Sequence, residues 1–205
     1  MNTHYLDRLF SPRAIAVFGA SEEQDTVGRR VFENLLQSGF DGPVYAINPK
    51  HRIILKQKCY ASIAEVPKPL DLAVIATPAA TVPEIIQQCG EHGVSAAIII
   101  SAGFSEGKGQ GLSLEKMVVE TARRYQMHIL GPNCLGLIRP ASGMNATFSK
   151  NSATTGQLAL ISQSGALCTA ILDWAKSNDV GFSAIISQGN AADIDFGDLL
   201  DYLAQ

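Results

Sequence analysis

The chain has 205 residues, 46% of them hydrophobic, and its formal net charge at pH 7 is −3. This apolar content is enough for a buried core and excludes a chain that is disordered throughout. The acidic balance argues against nucleic acid as a partner, and the longest apolar run, Ala96 to Ile100, is too short to cross a membrane.

The first predicted elements are a strand, a glycine-containing turn and a helix. The apolar run Ala14 to Phe18 predicts a buried strand that stops at Gly19, and a helix is predicted from about Thr26 to Ser38. Such a unit can hold phosphate at the helix N-terminus. The turn from Gly19 to Gly28 contains no G-x-G-x-x-G, so it lacks the fingerprint of a dinucleotide site.

The second predicted strand, Val44 to Ile47, ends in Asn48-Pro49-Lys50. A site for the ribose of NAD would place Asp or Glu at this point, whereas a cation suits a phosphorylated ribose. The sequence therefore disfavours NAD and predicts coenzyme A (CoA). NADP is the alternative ligand, and an α/β domain without a ligand is the third interpretation.

Three more strands, predicted at Leu72–Ile75, Ala96–Ile100 and His128–Leu130, alternate with helical patterns. Strands that are separated by helices need crossover connections, so the sequence predicts a parallel, doubly wound α/β sheet. Small, polar or proline-containing turns follow four strands. Because the carboxyl ends of parallel strands share one edge, these turns predict a ligand site, with tight structural turns as the alternative. They are Gly19–Ser21, Ala76–Ala79, Ser101–Gly103 and Gly131–Asn133.

The stretch 141–156 is rich in polar and turn-forming residues and predicts a linker or a long surface excursion. A strand at Leu158–Ile161, a second strand at Phe182–Ile186 and two helices follow. Two strands and two helices bury too little surface for an independent domain. We therefore predict a first domain over 1–140 and the beginning of a second α/β domain over 157–205.

The turn Ser162-Gln163-Ser164-Gly165 joins a predicted strand to a predicted helix. A nucleophile elbow requires G-x-S-x-G, and Ser occupies the position of its first Gly, which disfavours a hydrolase. Exposed N–H groups and the two hydroxyls instead predict an anion site, with a purely structural turn as the alternative.

The four cysteines form no C-x-x-C pattern, which predicts neither a metal site nor a disulfide framework. A reducing cytoplasm fits this usage, and the first residues lack the apolar core of a signal peptide. We therefore expect a cytoplasmic protein with no membrane partner. Cys134 follows a Pro-Asn turn, where a helix N-terminus would lower the pKa of its thiol, but a buried small side chain is favoured.

Six ordered motifs resemble the NDP-forming (ADP-forming) acyl-CoA synthetases, relatives of the succinyl-CoA synthetase alpha subunit, and the resemblance covers essentially the whole chain. The motifs are Ser11–Ser21, Ile47–Lys50, Gly131–Gly136, Asn145–Phe148, Ile161–Ala166 and Gly189–Asp195. The segments Tyr5–Phe10 and Cys168–Trp174 look closest to a bacterial subgroup. In that subgroup the synthetase is fused to a GNAT acetyltransferase, as in Pat-type protein lysine acetyltransferases.

The resemblance implies a Rossmann-like CoA-binding domain followed by the first part of a flavodoxin-like ligase domain. CoA or acetyl-CoA would lie along Gly19, Ala20, Ser21, Lys50, Thr77, Pro78, Ala79, Ser101, Ala102 and Gly103. The family's reaction makes an acyl phosphate, transfers the phosphoryl group to a histidine and then to ADP. Residues implied to receive the phosphohistidine are Asn133, Ser162, Gln163, Ser164 and Gly165.

The relay histidine of the family lies beyond Gln205, as do the nucleotide-grasp domain for ATP or ADP with Mg and any GNAT domain. None of the four histidines here matches it, so no catalytic residue is predicted within the chain. The predicted function is the CoA-binding region of an ADP-forming acetate (acyl)–CoA ligase, part of a bifunctional ligase and acetyltransferase, acting on a small carboxylic acid. The full-length protein is expected to be a homo-oligomer.

Two alternatives remain for the function. One is a regulatory region of a Pat-type acetyltransferase that senses acyl-CoA without ligase chemistry, and the residue at the relay histidine position separates it from a ligase. The other is an NADP-dependent oxidoreductase, which is disfavoured by the absent G-x-G-x-x-G and the lack of a visible acid–base pair.

Overall fold

The computed structural model describes residues 4–104 and 110–204, with the backbone alone for 110–113. The first part of the chain builds a seven-stranded sheet. In chain order its elements are α1 (Asp7–Phe10), β1 (Ile15–Phe18), α2 (Val27–Gln37), β2 (Val44–Ile47), β3 (Ile53–Ile54), β4 (Gln57–Tyr60), β5 (Leu72–Ile75), α3 (Val82–His92), β6 (Ala96–Ile99), α4 (Gln110–Arg124) and β7 (His128–Leu130).

The strand order of this sheet is β3-β4-β2-β1-β5-β6-β7, and all pairs are parallel except β3 with β4. Ile15 and Val17 of β1 pack with α1 and α2 on one face. Ala16 and Phe18 pack with α3 and α4 on the other. Helices on both faces explain why the strands are apolar throughout instead of alternating. The predicted Rossmann-like, doubly wound sheet is confirmed.

The sequence analysis did not predict the short antiparallel hairpin of β3 and β4. It lies at the edge of the sheet, where β4 pairs with β2 through Ala46 and Cys59. The backbone N–H of Leu55, between the two strands, donates to Oε1 of Glu22 at 2.5 Å. The hairpin is thereby tied to the turn that follows β1, beside the predicted ligand edge.

The second part of the chain forms a four-stranded sheet of order β10-β11-β8-β9. Its elements are β8 (Gly136–Arg139), β9 (Met144–Thr147), β10 (Thr155–Ser162), α5 (Gly165–Ser177), β11 (Phe182–Ser187) and α6 (Phe196–Leu203). The pair β10–β11 is parallel, and β8 is antiparallel to both β11 and β9. The strand–turn–helix predicted around Ser162–Gly165 is present, because β10 leads directly into α5.

The prediction that 141–156 is a linker or surface excursion is wrong for its central part, since all four residues of β9 are buried. Polar composition indicated an exposed segment, but the polar groups here are buried because they form hydrogen bonds with one another. Oγ1 of Thr147 donates to Oδ1 of Asn145 at 2.7 Å and accepts from the N–H of Ser149 at 3.2 Å. Internally satisfied polar side chains can be buried without a large cost.

One continuous apolar core joins the two sheets, with Ile15 and Phe32 from the first part packed in the same cluster as Leu137 and Ile186 from the second. The two parts of the chain therefore pack against each other through a shared core. The domain boundaries, 1–140 and 157–205, stay a prediction. No helix among the described residues combines the length and apolar character that crossing a membrane requires.

Candidate functional site

A cavity of about 570 Å³ lies between the carboxyl ends of β5 and β6 and the N-terminus of α5. The first sheet contributes Ala76, Thr77, Ser101 and Ala102 to its lining. The second part contributes Gly165, together with Ala166 and Thr169, from the first turns of α5. The predicted CoA edge and the predicted anion turn therefore open into one space.

The ends of the four central strands are close neighbours, as the strand order requires. Gly19 has a φ of 83°, and a Cβ at this position would lie 2.6 Å from the carbonyl oxygen of Ala76. Nδ2 of Asn48 donates to the carbonyl oxygen of Ala20 at 2.8 Å and so joins the end of β2 to the turn after β1. Across the sheet, a Cβ on Gly103 would lie 3.7 Å from Cβ of Ala79.

Three of the ten predicted CoA residues line the cavity itself, namely Thr77, Ser101 and Ala102. The others lie along the same edge outside its lining, and they are Gly19, Ala20, Ser21, Pro78, Ala79, Gly103 and Lys50. Lys50 is exposed, and its backbone N–H donates to Oδ1 of Asn48 at 3.0 Å. A contact between any of these residues and CoA stays a prediction.

The turn before α5 uses its two serines differently from the prediction. Oγ of Ser164 caps the helix by accepting from the N–H of Leu167 at 3.2 Å. Oγ of Ser162 accepts from the N–H of Ser164 at 3.0 Å and donates back to its carbonyl oxygen at 3.4 Å. The Ser162 hydroxyl is therefore engaged within the turn, and a contact between either hydroxyl and an anion stays a prediction.

Besides the O–H of Ser164, whose oxygen only accepts, the N–H groups of Gly165 and Ala166 are donors at this helix end. They belong to the first turn of α5, whose N–H groups have no intrahelical partner, and the structure gives them no partner among the described residues. Among the described lining residues there is no Asp, Glu, Lys, Arg or His. The N-termini of α5 and α2, which begin at Gly165 and Val27, both reach this cavity, and the positive ends of their dipoles favour an anion there. Gln163 is exposed and lies outside the cavity lining.

Asn133 reaches the cavity from the turn after β7. It adopts a φ of 57°, and its Nδ2 lies 3.4 Å from Oδ1 of Asn190. Gly189 packs against this turn so closely that a Cβ there would lie 2.3 Å from the carbonyl oxygen of Pro132. The Gly189–Asp195 motif thus holds the turn that carries Asn133.

Cys134 also lines the cavity, but as a buried thiol that donates to the carbonyl oxygen of Ile99 at 3.4 Å. Burial raises the pKa of this thiol to about 12. The chain continues into β8, so a thiolate at a helix N-terminus is excluded and the predicted buried side chain is confirmed. In the part of the chain that the structure describes, no cluster of His, Cys, Asp and Glu could hold a metal ion.

Sequence reasoning gave no ligand role to the larger apolar side chains of the lining, among them Val27 and Phe148. Val27 begins α2, and Phe148 follows β9 inside the stretch interpreted as a linker. Only the Asn145–Phe148 motif pointed to this region, without a role for Phe148.

Two known families match successive parts of the chain. Residues 13–140 match the family described as CoA binding domain. Residues 155–205 match the family described as succinyl-CoA ligase like flavodoxin domain.

Similar proteins cover nearly the whole chain. Acetate–CoA ligase (ADP-forming) I of Archaeoglobus fulgidus is 46% identical over 200 residues, which are 98% of this chain and 29% of that protein. The alpha subunit of acetate–CoA ligase (ADP-forming) I of Pyrococcus furiosus is 43% identical over 96% of this chain and 44% of its own length. The chain thus spans less than half the length of these relatives.

A solved structure agrees with the fold. It is dinucleotide forming acetyl-coenzyme A synthetase 1 of Ca. Korarchaeum cryptofilum, in complex with phosphate and ADP. That protein matches with a TM-score of 0.93 and 41% identity, over 100% of this chain and 43% of the other.

Proposed function

The chain belongs to the CoA-binding-domain family, in the group of ADP-forming acetyl-CoA synthetase alpha-subunit-like proteins, and from this premise we propose that it is the CoA-binding part of an ADP-forming acid–CoA ligase. One observation carries the proposal. The carboxyl ends of β5 and β6 and the N-terminus of α5 line the same cavity, which supports a CoA site and an anion site next to each other.

The residues at the strand ends fit CoA. Among the residues of the first sheet that line the cavity, Ile100 has the largest side chain. Pro78, Ala102 and Gly103 are exposed to an approaching ligand. Small side chains permit backbone contacts with a long, flexible ligand. CoA supplies the thiol that forms a thioester with the acid.

At the other side of the cavity, the N–H groups of Gly165 and Ala166 would hold negative charge. We assign them to the phosphoryl group as it passes between an acyl phosphate and a histidine. Each donor would stabilise the oxygens through a charge-assisted hydrogen bond, reinforced by the helix dipole. The relay histidine and the sites for ADP and Mg are assigned to other parts of the protein, since none of His4, His51, His92 and His128 lines the cavity.

An exposed apolar surface supports packing against such further parts. Leu167 and Trp174 are 51% and 57% exposed and stand seven residues apart on α5, hence on one face of the helix. Leu158, on the edge strand β10, is 57% exposed. Exposed apolar side chains such as these are available for packing against another part of the protein.

The experiment is calorimetric titration of the protein with CoA, NADP and NAD. We expect binding of CoA in clear preference to both nicotinamide nucleotides. Binding of NADP without CoA would overturn the proposal in favour of an oxidoreductase.

A second measurement separates a ligase from a sensor. With acetate, ATP and CoA, the full-length protein is expected to form acetyl-CoA. Binding of acetyl-CoA without its synthesis would favour the sensor. The proposal of a fused GNAT acetyltransferase depends only on the resemblance of two segments, Tyr5–Phe10 and Cys168–Trp174. It is tested by measuring acetyl transfer to protein lysine by the full-length protein.

A further inference from the structure

We propose that Val27 and Phe148 form the wall that sets the size of the acyl group in this cavity, an inference that rests on the proposed ligase function. Both side chains line the cavity. Val27 is 40% exposed and Phe148 is 37% exposed, although most large apolar side chains of the chain are buried. Apolar surface left facing a cavity is available to an apolar part of a ligand.

The charge of the lining favours an apolar acyl group. Ile100, Leu135, Val27 and Phe148 supply aliphatic and aromatic surface, and the described lining carries no charged side chain. A methylene group that enters this space is removed from water without a desolvation penalty. A second carboxylate would lose its hydration without gaining a cation.

Contacts of the neighbouring residues hold the backbone of the wall on both sides of Phe148 and of Val27. Nδ2 of Asn34 donates to the carbonyl oxygens of Thr147 and Ser149, at 2.8 and 2.9 Å, so the backbone on both sides of Phe148 is fixed to α2. Asn34 lies seven residues after Val27 on the same helix, and positions seven apart share one face. One helix face therefore positions both members of the wall.

The first turn of α2 is fixed as well. Oγ1 of Thr26 caps the helix by accepting from the N–H of Arg29 at 3.4 Å. Gly28, directly after Val27, is buried against the backbone of Gly19. A wall whose backbone is held in this way discriminates by size, because it yields less to a longer acyl group.

The orientation of the acyl group is inferred from the two kinds of surface in the lining, the helix N–H groups and the apolar side chains. Its carbonyl carbon, which bears sulfur or phosphate oxygen during the reaction, would lie near the N–H groups of Gly165 and Ala166. Its chain would then extend towards the uncharged wall. Val27 and Phe148 thus contact the part of the substrate that differs between one acid and the next.

The test measures kcat/KM of the full-length protein for acetate and butyrate. Phe148→Ala is expected to raise the butyrate to acetate ratio by about tenfold, since one or two methylene groups in an apolar pocket change discrimination by that order. Val27→Ala should act in the same direction with a smaller effect. Leu36→Ala is the matched control, because Leu36 is also on α2, is 37% exposed and does not line the cavity.

Calorimetry with acetyl-CoA and butyryl-CoA gives a second readout that does not need turnover, and Phe148→Leu replaces Phe148→Ala if the larger truncation prevents folding. Equal losses for both acids, or a shift in Leu36→Ala as large as in Phe148→Ala, would overturn the inference. A wild-type protein that binds both thioesters but makes neither would instead contradict the ligase function. A changed thioester preference in Phe148→Ala would then still support the wall.

Discussion

A Cβ atom on Gly28 would lie 1.8 Å from the carbonyl oxygen of Gly19, so the first turn of α2 rests directly on the turn that follows β1. This contact brings Val27 to the cavity and places the start of α2 at the ligand edge of the sheet. Two glycines nine positions apart achieve this close packing without the spacing of a dinucleotide fingerprint.

We predict that Gly28→Ala destabilises the protein by about 1–3 kcal/mol and weakens CoA binding, because the methyl group forces α2 away from β1. Chemical denaturation and calorimetry measure the two effects. Gly39→Ala is the control. A Cβ at Gly39 would meet no atom within 4 Å, so any loss of stability in this control comes from the φ of 85°. The CoA affinity of the control should be unchanged. Wild-type stability of Gly28→Ala would contradict the packing.

Lys50→Ala is expected to weaken CoA binding by about tenfold, the effect of losing one charge-assisted contact to phosphate. Dephospho-CoA should bind both proteins alike if the contact is to the 3′-phosphate. Calorimetry with the two ligands measures this, and Lys116→Ala, an exposed lysine on α4, serves as the control. Equal losses for the two ligands would move the contact of Lys50 to the pyrophosphate.

Ser164→Asp should suppress phosphohistidine formation in the full-length protein by at least about tenfold while CoA affinity changes little. Asp caps a helix as well as Ser does, so α5 keeps its N-cap, but the added charge repels a phosphoryl group. Ser164→Asn is the matched control because Asn caps equally well and is neutral. Phosphoryl labelling from ATP measures the effect, and normal labelling in Ser164→Asp would mean that the turn is only structural.

Asp71 makes stability depend on pH in the acid range. Hydrogen bonds from the Arg13 side chain, 2.7 and 2.8 Å long, hold the pKa of this buried carboxyl below its usual value. Because the folded pKa is lowered, the stabilisation is present above the unfolded pKa of about 3.9 and is lost as the pH falls through the folded pKa.

Asp71→Asn is expected to lower the free energy of unfolding by about 2 kcal/mol at pH 7 and to flatten its decline below about pH 4. Urea denaturation between pH 3 and 7 measures both effects. Asp41→Asn, which changes an exposed loop carboxylate, should leave the profile unchanged. An unaltered acid profile in Asp71→Asn would assign the acid sensitivity to other carboxylates.

The sequence by itself determined five strands of the first sheet and the edge at which they end, but not the β3–β4 hairpin. Four-residue apolar runs such as Ile15–Phe18 and Leu72–Ile75 are bounded by Gly, Pro or polar residues, and strands separated by helices must be parallel. The carboxyl ends of such strands meet at one edge whatever the details of packing. This is why the turns at Gly19, Thr77 and Ser101 could be grouped from the sequence.

Only the tertiary structure decided the rest. Asn145 and Thr147 look like surface residues until Asn34, more than a hundred residues earlier, is seen to hold the strand through backbone carbonyls. Likewise, the Ser162 hydroxyl bonds within its own turn, and Val27 and Phe148, from distant parts of the chain, line one cavity between two sheets. Sequence periodicity reports which face of an element is buried. It does not report which distant group satisfies a polar atom or which two elements enclose a space, because both depend on contacts between residues far apart in the chain.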